Sequence, residues 1–327
     1  MRRGHLSFDV RVPASTANLG AGFDCLGLAL DIHLKVRATV LPGKGGGSQA
    51  RTRGTPGSER LGRNPGQNLI LRAMQHVERR EGWSLPAVRL AAHNAIPLAA
   101  GLGSSAAAIV AGVGLAFALS GREISTGAVL RHATAMEGHA DNVAAALLGG
   151  LVVTATRADG SVAAVRRPWP RQIRILVVTP ELTLETKAAR EMLPQGVSRS
   201  AAVHNLQRSA LLLGALWEGN FELLWDALQD ELHQECRSAK IPGLAEILRM
   251  PRMEGLLGIA LSGSGPSVVA LATGRFDGIG RAIARRFEAS GVGCEVRCVA
   301  ASDRGLVVNE AGGRRMGGRL RVQRGNK

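Results

Sequence analysis

Apolar and polar residues alternate over residues 8–12 (FDVRV) and across LALDIHLKVRATV, residues 28–40, which predicts two strands. Gly20, Gly22 and Gly27 mark a tight loop between them. NLILRAMQHVERREG, residues 68–82, has the spacing of a helix with Asn68 as its N-cap, and AVRLAAHNAI reads as the next strand. Residues 95–119 then carry no charge, a run long enough to span a bilayer. It opens with Pro97, holds Gly101, Gly103 and the pair Ser104–Ser105, and lacks aromatic and basic flanks. That order predicts a buried helix entered through a glycine turn.

Further on, IRILVVTP predicts a strand and ELTLETKAAREMLP a helix. AAVHNLQRSALLLGAL and FELLWDALQDELHQECRSAKIPGL read as two helices, and GIALSGSGPSVVAL as strand, turn and strand. RFDGIGRAIARRFEASG is a last helix and CEVRCVAA a last strand. Residues 41–67, rich in Gly, Arg, Ser and Pro, predict an exposed mobile loop or hairpin. Arg166-Arg167-Pro168-Trp169-Pro170 reads as an inter-domain connection.

At 327 residues the chain has room for two domains with their own cores. The expected division is 1–165, 166–309 and a basic, disordered tail over 310–327. The N-terminus, MRRGHLSFDVRV, lacks the apolar core of a signal peptide, so a cytoplasmic protein is expected. Cys25, Cys236, Cys294 and Cys298 form no CxxC pair and read as reduced thiols. The net charge of +15 invites a nucleic-acid reading. Against it, arginines are scattered, aromatics are 3% with no tyrosine, and six basic residues sit in the tail. Nucleic acid and membrane are therefore not expected partners, while a basic face favours ATP and other anions.

The chemistry concentrates in three places. Glycines before Ser104–Ser105 let backbone approach an anion at a helix start, where N–H groups and the helix dipole favour phosphate. No lysine follows them, so this is not a Walker loop. Glu137, His139, Asp141 and Asn142 fall within six residues of apolar sequence, where charged groups need partners. Neither H-x-x-x-H nor a cysteine accompanies them, which argues against zinc. Thr186 and Arg190 are four apart on one face of a predicted helix, a spacing that also suits an ordinary solvated charge.

The stretch P-x-x-x-G-L-G-S-S-A-A, from Pro97 to Ala107, resembles the phosphate loop of the GHMP kinases. Three more blocks resemble the homoserine kinase branch: PASTANLGAGFDCLG from Pro13, EGHADNVAAALLGG from Glu137, and the T-x-x-x-R and H-Q-x-x-R pairs ending at Arg190 and Arg237. GIALSGSGPSVVAL matches the third GHMP motif. The resemblance implies a two-domain α+β fold: an N-terminal ribosomal-protein-S5-domain-2-like α/β domain and a C-terminal ferredoxin-like α+β domain. It implies ATP and magnesium, L-homoserine as acceptor, and a homodimer. Pro97, Leu98, Ala99, Ala100, Gly101, Leu102, Gly103, Ser104 and Ser105 would hold ATP phosphates, with Asn68 at the nucleoside. Ser105 and Glu137 would hold magnesium. Asn18, Asp24 and His139 would hold the substrate ammonium, and Arg190 and Arg237 its carboxylate. Asn142 and Thr186 would orient the hydroxyl, with Asp141 or no group at all as base. The chain departs from that pattern at Ala100, Ala140, Ala145 and Glu235-Cys236. Another GHMP-type acceptor and a non-catalytic ligand sensor stay open beside this reading.

Overall fold

The structure is a computed structural model that describes residues 6–42, 47–58, 66–184 and 186–311. The expected tail past residue 311 and the Thr186 side chain lie outside what is described. In chain order the first part runs β1 (Ser7–Asn18), β2 (Gly22–Val40), β3 (Gln49–Gly54), α1 (Leu69–Glu81), β4 (Val88–Asn94), α2 (Ser104–Leu119), α3 (Thr126–Glu137), α4 (Asp141–Leu148), β5 (Leu151–Thr156) and β6 (Val162–Arg167). The second part runs β7 (Arg174–Pro180), α5 (Thr186–Glu191), α6 (Arg199–Glu218), α7 (Leu224–Ala227), α8 (Gln234–Ser238), α9 (Leu244–Leu248), β8 (Leu256–Leu261), β9 (Val268–Ala272), α10 (Phe276–Ala289), β10 (Cys294–Val299) and β11 (Val307–Glu310).

Two sheets result, in the α+β arrangement expected. The first has the order β11-β1-β2-β4-β3, with β5 joined to β2 and β6 to β5; the second has the order β10-β7-β9-β8. Alternation decides which face of the first sheet is inside. Phe8, Val10 and Val12 of β1 and Leu34, Val36 and Ala38 of β2 are buried, while Lys35 and Arg37 point to solvent. Against the buried face lies α2, whose Ile109, Val110, Val113 and Leu115 are fully enclosed. An uncharged helix suits that central place, and each such side chain contributes about 1.5–3 kcal/mol on burial. The second sheet buries Leu176, Val178, Leu261 and Val268 with Ile279, Ile283 and Phe287 of α10. Among the described residues no helix is long and apolar enough to cross a membrane.

Three expectations need correcting. Gln49–Gly54 forms a strand parallel to β4 where a loop or hairpin was expected. It is an edge strand in which only Thr52 is buried, so its sequence carries no apolar alternation. Residues 221–244 form short separate helices where one was expected. The carboxylate of Asp230 accepts from the backbone N–H groups of His233 (2.9 Å) and Gln234 (2.8 Å), which starts α8 afresh. The boundary at 309 cuts through β11, which pairs with β1 and so returns the chain to the first sheet.

Candidate active site

One cleft lies where the start of α2 meets the turn between β8 and β9. The expected residues Pro97, Ala99–Ser105, Asn18, Asp24, Glu137, His139, Asp141, Asn142, Arg190 and Arg237 all line it. Leu98 and Asn68 do not. Asn68 is buried, and its Oδ1 accepts from the N–H groups of Ile70 (3.1 Å) and Leu71 (3.2 Å). That is the N-cap of α1.

The anion-binding end is built from backbone. Gly103 is the N-cap of α2, at φ 66°, and its side supplies no capping group, so the first-turn N–H groups face the cleft. A Cβ at Gly103 would fall 2.1 Å from Ser15 Oγ, and one at Gly101 would fall 2.1 Å from the Ser262 carbonyl oxygen. Only glycine fits either place. The loop is tied down from both sheets. Ser15 N–H donates to the Leu102 carbonyl (3.1 Å), and Ser267 N–H to that of Ala100 (3.2 Å). The Ser262 hydroxyl lies 2.7 Å from the Gly101 carbonyl and 2.9 Å from Thr16 Oγ1.

Beside the helix start, Ser105 Oγ donates to Glu137 Oε2 at 2.7 Å. These are hard oxygen donors. Neighbouring ligands of an octahedral magnesium, each about 2.0–2.1 Å from the ion, sit about 2.9 Å apart. The pair therefore fits two adjacent corners of such a site. Among the described residues no cluster of three or more His, Cys, Asp or Glu stands ready for a metal. The remaining ligands would have to be phosphate and water oxygens, as is usual for magnesium.

The opposite end is built from ion pairs. Arg190 clasps Asp24 with Nη1–Oδ2 at 3.1 Å and Nη2–Oδ1 at 2.6 Å. Asp24 and Asn18 are held in the left-handed region, at φ 54° and 71°. Asn18 fixes that turn: its Oδ1 accepts from the Asp24 N–H (3.1 Å), and its Nδ2 donates to the Gly263 carbonyl (3.0 Å). Arg237 is only 2% exposed. Its Nη1 donates to the Gly263 carbonyl (2.9 Å) and to His233 Nδ1 (3.0 Å). Since a guanidinium only donates, His233 carries its proton on Nε2, which donates to the Gly20 carbonyl at 2.9 Å. Burial, with the charge of Arg190, pulls Arg237 down to about 10, which leaves it charged at neutral pH. Nε faces the Ala189 carbonyl (3.5 Å), so among the described residues Nη2 is the end left for a ligand. The Phe23 ring sits 5.7 Å from both guanidinium carbons.

Between the two ends lies the start of α4. Asn142 Oδ1 accepts from Ser15 Oγ (2.8 Å), and its Nδ2 lies 3.5 Å from Asp141 Oδ1. Asp141 Oδ1 accepts from the Asn142 N–H (2.7 Å) and from His139 Nδ1 (2.8 Å). Burial pushes His139 down, but the hydrogen bond to Asp141 and the charges of Asp141 and Glu137 outweigh it and hold its pKa above the ordinary value. The hydrogen bonds from Asn142 N–H and His139 both fall on Oδ1 of Asp141, a cleft-lining residue that is 2% exposed.

Phe23, Ser15, His233, Gly263 and Ser264 were not singled out from the sequence. Phe23 and His233 stand inside quoted blocks, next to Asp24 and four residues before Arg237. Ser15, Gly263 and Ser264 also stand inside quoted blocks, but Ser15 and Gly263 act through partners far along the chain, which no local pattern names.

Comparison with known proteins adds independent findings. Residues 68–150 match the family model described as GHMP kinases N terminal domain, and residues 207–289 match GHMP kinases C terminal. A homoserine kinase of Solibacter usitatus is 39% identical, covering 93% of this chain and 98% of its own length. One from Moorella thermoacetica is also 39% identical, covering 91% and 99%. The crystal structure of homoserine kinase from Cytophaga hutchinsonii superposes with a TM-score of 0.81 at 30% identity, covering 92% of this chain and 97% of that one.

Proposed function

We propose a reaction on the premise that this chain belongs to the homoserine kinase family of GHMP kinases. It transfers the terminal phosphoryl group of ATP to the side-chain hydroxyl of L-homoserine, giving ADP and O-phospho-L-homoserine on the way to threonine. The observation that carries the substrate is the cleft itself. A backbone-lined helix start stands at one end, and one carboxylate with two guanidiniums stands at the other.

Phosphoryl transfer asks mostly for positioning and charge stabilisation. N–H groups from Gly101 to Ser105 hold the phosphates at the positive end of α2. Ser105 and Glu137 are the residues that would hold magnesium, which supplies charge neutralisation between the phosphates. Asp24 takes the substrate ammonium, with Asn18 holding Asp24 in place. Arg190 and the Nη2 end of Arg237 take the carboxylate. Substrate binding then exchanges one ion pair for two: the zwitterion inserts between Asp24 and Arg190, and no charge is left alone. A carboxylate without an amine, such as mevalonate, takes Arg190 and strands Asp24. The amide N–H₂ of Asn142 orients the attacking hydroxyl, whose proton passes to an oxygen of the transferred phosphoryl group. Thr186 is proposed to orient that hydroxyl as well. The cytoplasm is the proposed compartment, and a homodimer the proposed assembly.

The test is ADP release with magnesium-ATP and L-homoserine, mevalonate, galactose or no acceptor. Turnover with homoserine alone is expected. Equal turnover with mevalonate would overturn the role of Asp24, and ATP binding without any turnover would point to a sensor.

A further inference from the structure

A second groove lies on the outer face of the first sheet and shares no lining residue with the cleft. Its volume is about 650 Å³, in the range of small-molecule sites. Arg11, Lys35, Arg37, Arg53, His93 and Arg304 line it. Strand register sets four of these in one row. Arg11 of β1 stands opposite Lys35 of β2, Lys35 opposite His93 of β4, and His93 opposite Arg53 of β3. With strands about 4.8 Å apart, the row runs about 14 Å across the sheet.

Like charges directly opposite each other on a sheet repel, so an exposed face ordinarily pairs unlike ones. The neighbouring row does so. Asp9 stands opposite Arg37 and accepts from its Nε at 2.7 Å and its Nη2 at 2.8 Å. In the cationic row no carboxylate answers: among the described residues Arg11, Lys35, Arg53 and Arg304 have no ion-pair partner. Charge on an edge strand guards it against pairing with another sheet, which accounts for Arg53. It does not account for Lys35 and His93, whose strands have partners on both sides. The field of the row also reaches a neighbour. Burial, with the charges of Arg11 and Lys35 against that of Asp31, holds His33 below its ordinary pKa. Charge kept in register without a structural use is the kind of local conflict that marks a binding site.

We infer that this groove binds a linear oligophosphate, a chain of three or more phosphate groups laid across the strands along Arg11, Lys35, His93 and Arg53. Charge and shape select that occupant. Arginine forks and a lysine ammonium are phosphate-binding groups, and a concave cationic surface concentrates anions. The uncompensated band is one row wide. Asp9 neutralises Arg37 on one side of it, and on the other Asp31 lies 3.5 Å from His33, two residues before Lys35. A narrow band between carboxylates fits a single phosphate chain and gives no bed for a duplex. No aromatic ring lines the groove except the His93 imidazole, so it lacks a platform on which successive bases stack.

The test is calorimetric titration of the full chain with inorganic tripolyphosphate, with orthophosphate, ATP and a single-stranded oligonucleotide as the other arms. The cleft is proposed to take phosphates too, so the groove is read as the difference between the wild type and the triple variant Arg11→Gln, Lys35→Gln, Arg53→Gln. Melting curves check that the variant folds, and an unchanged KM for ATP checks that its cleft is intact. The wild type is expected to bind one more tripolyphosphate than the triple variant, and Lys35→Gln alone to raise the dissociation constant of that site by about 10-fold or more. Arg89→Gln, on the same face four residues before His93, is expected to leave it within about twofold. Tripolyphosphate bound there more tightly than a second ATP assigns the groove to a free chain; a second ATP bound as tightly, and lost in the triple variant, assigns it to the chain of a nucleotide. The site is overturned if no additional tripolyphosphate binds, if the triple variant keeps it, or if Arg89→Gln weakens it as much as Lys35→Gln. Orthophosphate binding as tightly as tripolyphosphate, or an oligonucleotide binding more tightly, overturns the oligophosphate as its occupant. Binding is measured without turnover, so failure of the proposed reaction leaves this result standing.

Discussion

The two ends of the cleft recognise charge by different means. At the phosphate end the ligand faces main-chain N–H groups, and the side chains nearby, Ser15, Thr16 and Ser262, hold the loop rather than the anion. At the amino-acid end the ligand faces three charged side chains drawn from β2, α5 and α8. Backbone sites resist substitution because no side chain carries them, but their shape depends on glycine where a Cβ would collide. Side-chain sites are adjustable one charge at a time, and each charge must be satisfied without substrate as well as with it. Asp24 and Arg190 satisfy each other; Arg237 is satisfied by buried carbonyl and imidazole groups.

The sharpest break in this comparison is Glu137→Gln, which removes the charged side chain of the phosphate end. Turnover is expected to fall by about 10²–10³-fold, with KM for homoserine little changed. Gln can still accept from Ser105, so the melting temperature should stay near that of the wild type. A magnesium titration of kcat checks it: near-wild-type turnover at limiting magnesium would remove Glu137 from the metal site.

Next in size is Arg237→Met. The replacement leaves buried His233 Nδ1 without its donor and takes one of two donors from the Gly263 carbonyl, which keeps Asn18 Nδ2, a loss of about 1–3 kcal/mol in stability. Chemical denaturation should show that loss, and KM for homoserine should rise. A variant as stable as the wild type would mean that Arg237 serves substrate alone.

Arg190→Ala should separate the two arginines. The Arg190–Asp24 pair is 38% exposed on each side, so its loss costs at most about 1 kcal/mol of stability. KM for homoserine should nevertheless rise by about 10–100-fold with kcat within a few-fold. An amino alcohol lacking the carboxylate should lose nothing comparable. Equal losses for both compounds would sink the carboxylate clamp.

That contrast also marks how far the sequence could be read. The phosphate loop is contiguous from Pro97 to Ser105, so composition, glycine spacing and the uncharged run after it located both the loop and its buried helix. The amino-acid end is assembled from residues as far apart as Asn18 and Arg237. Its charged members were found by resemblance, since a lone Asp at a turn and an Arg on a helix look like ordinary surface. Sequence also gave the two arginines one role and no hint that one is enclosed and the other half open. Burial depends on Gly263, His233 and Ala189 arriving from elsewhere. The strands β3 and β11 escaped for a related reason: both are short edge strands whose partners alone define them.

The smallest expected effect is at Asn68, where resemblance and geometry point apart. Its place before Leu69 suits both a nucleoside contact and a helix cap. The structure uses the side chain as a cap, with Oδ1 turned onto the Ile70 and Leu71 N–H groups and the residue 3% exposed. A side chain committed to the helix end has little of its acceptor capacity to offer a ribose or base. Asn68→Ala is therefore expected to cost about 1 kcal/mol of stability, and Asn68→Asp much less, because a carboxylate also caps and favours the positive end of α1. KM for ATP should stay within about twofold in Asn68→Asp at a temperature well below its melting point. Paired melting curves and ATP titrations decide it. If Asn68→Asp keeps its stability but loses ATP affinity tenfold, the amide reaches the nucleoside, and the phosphate end is not built from backbone alone.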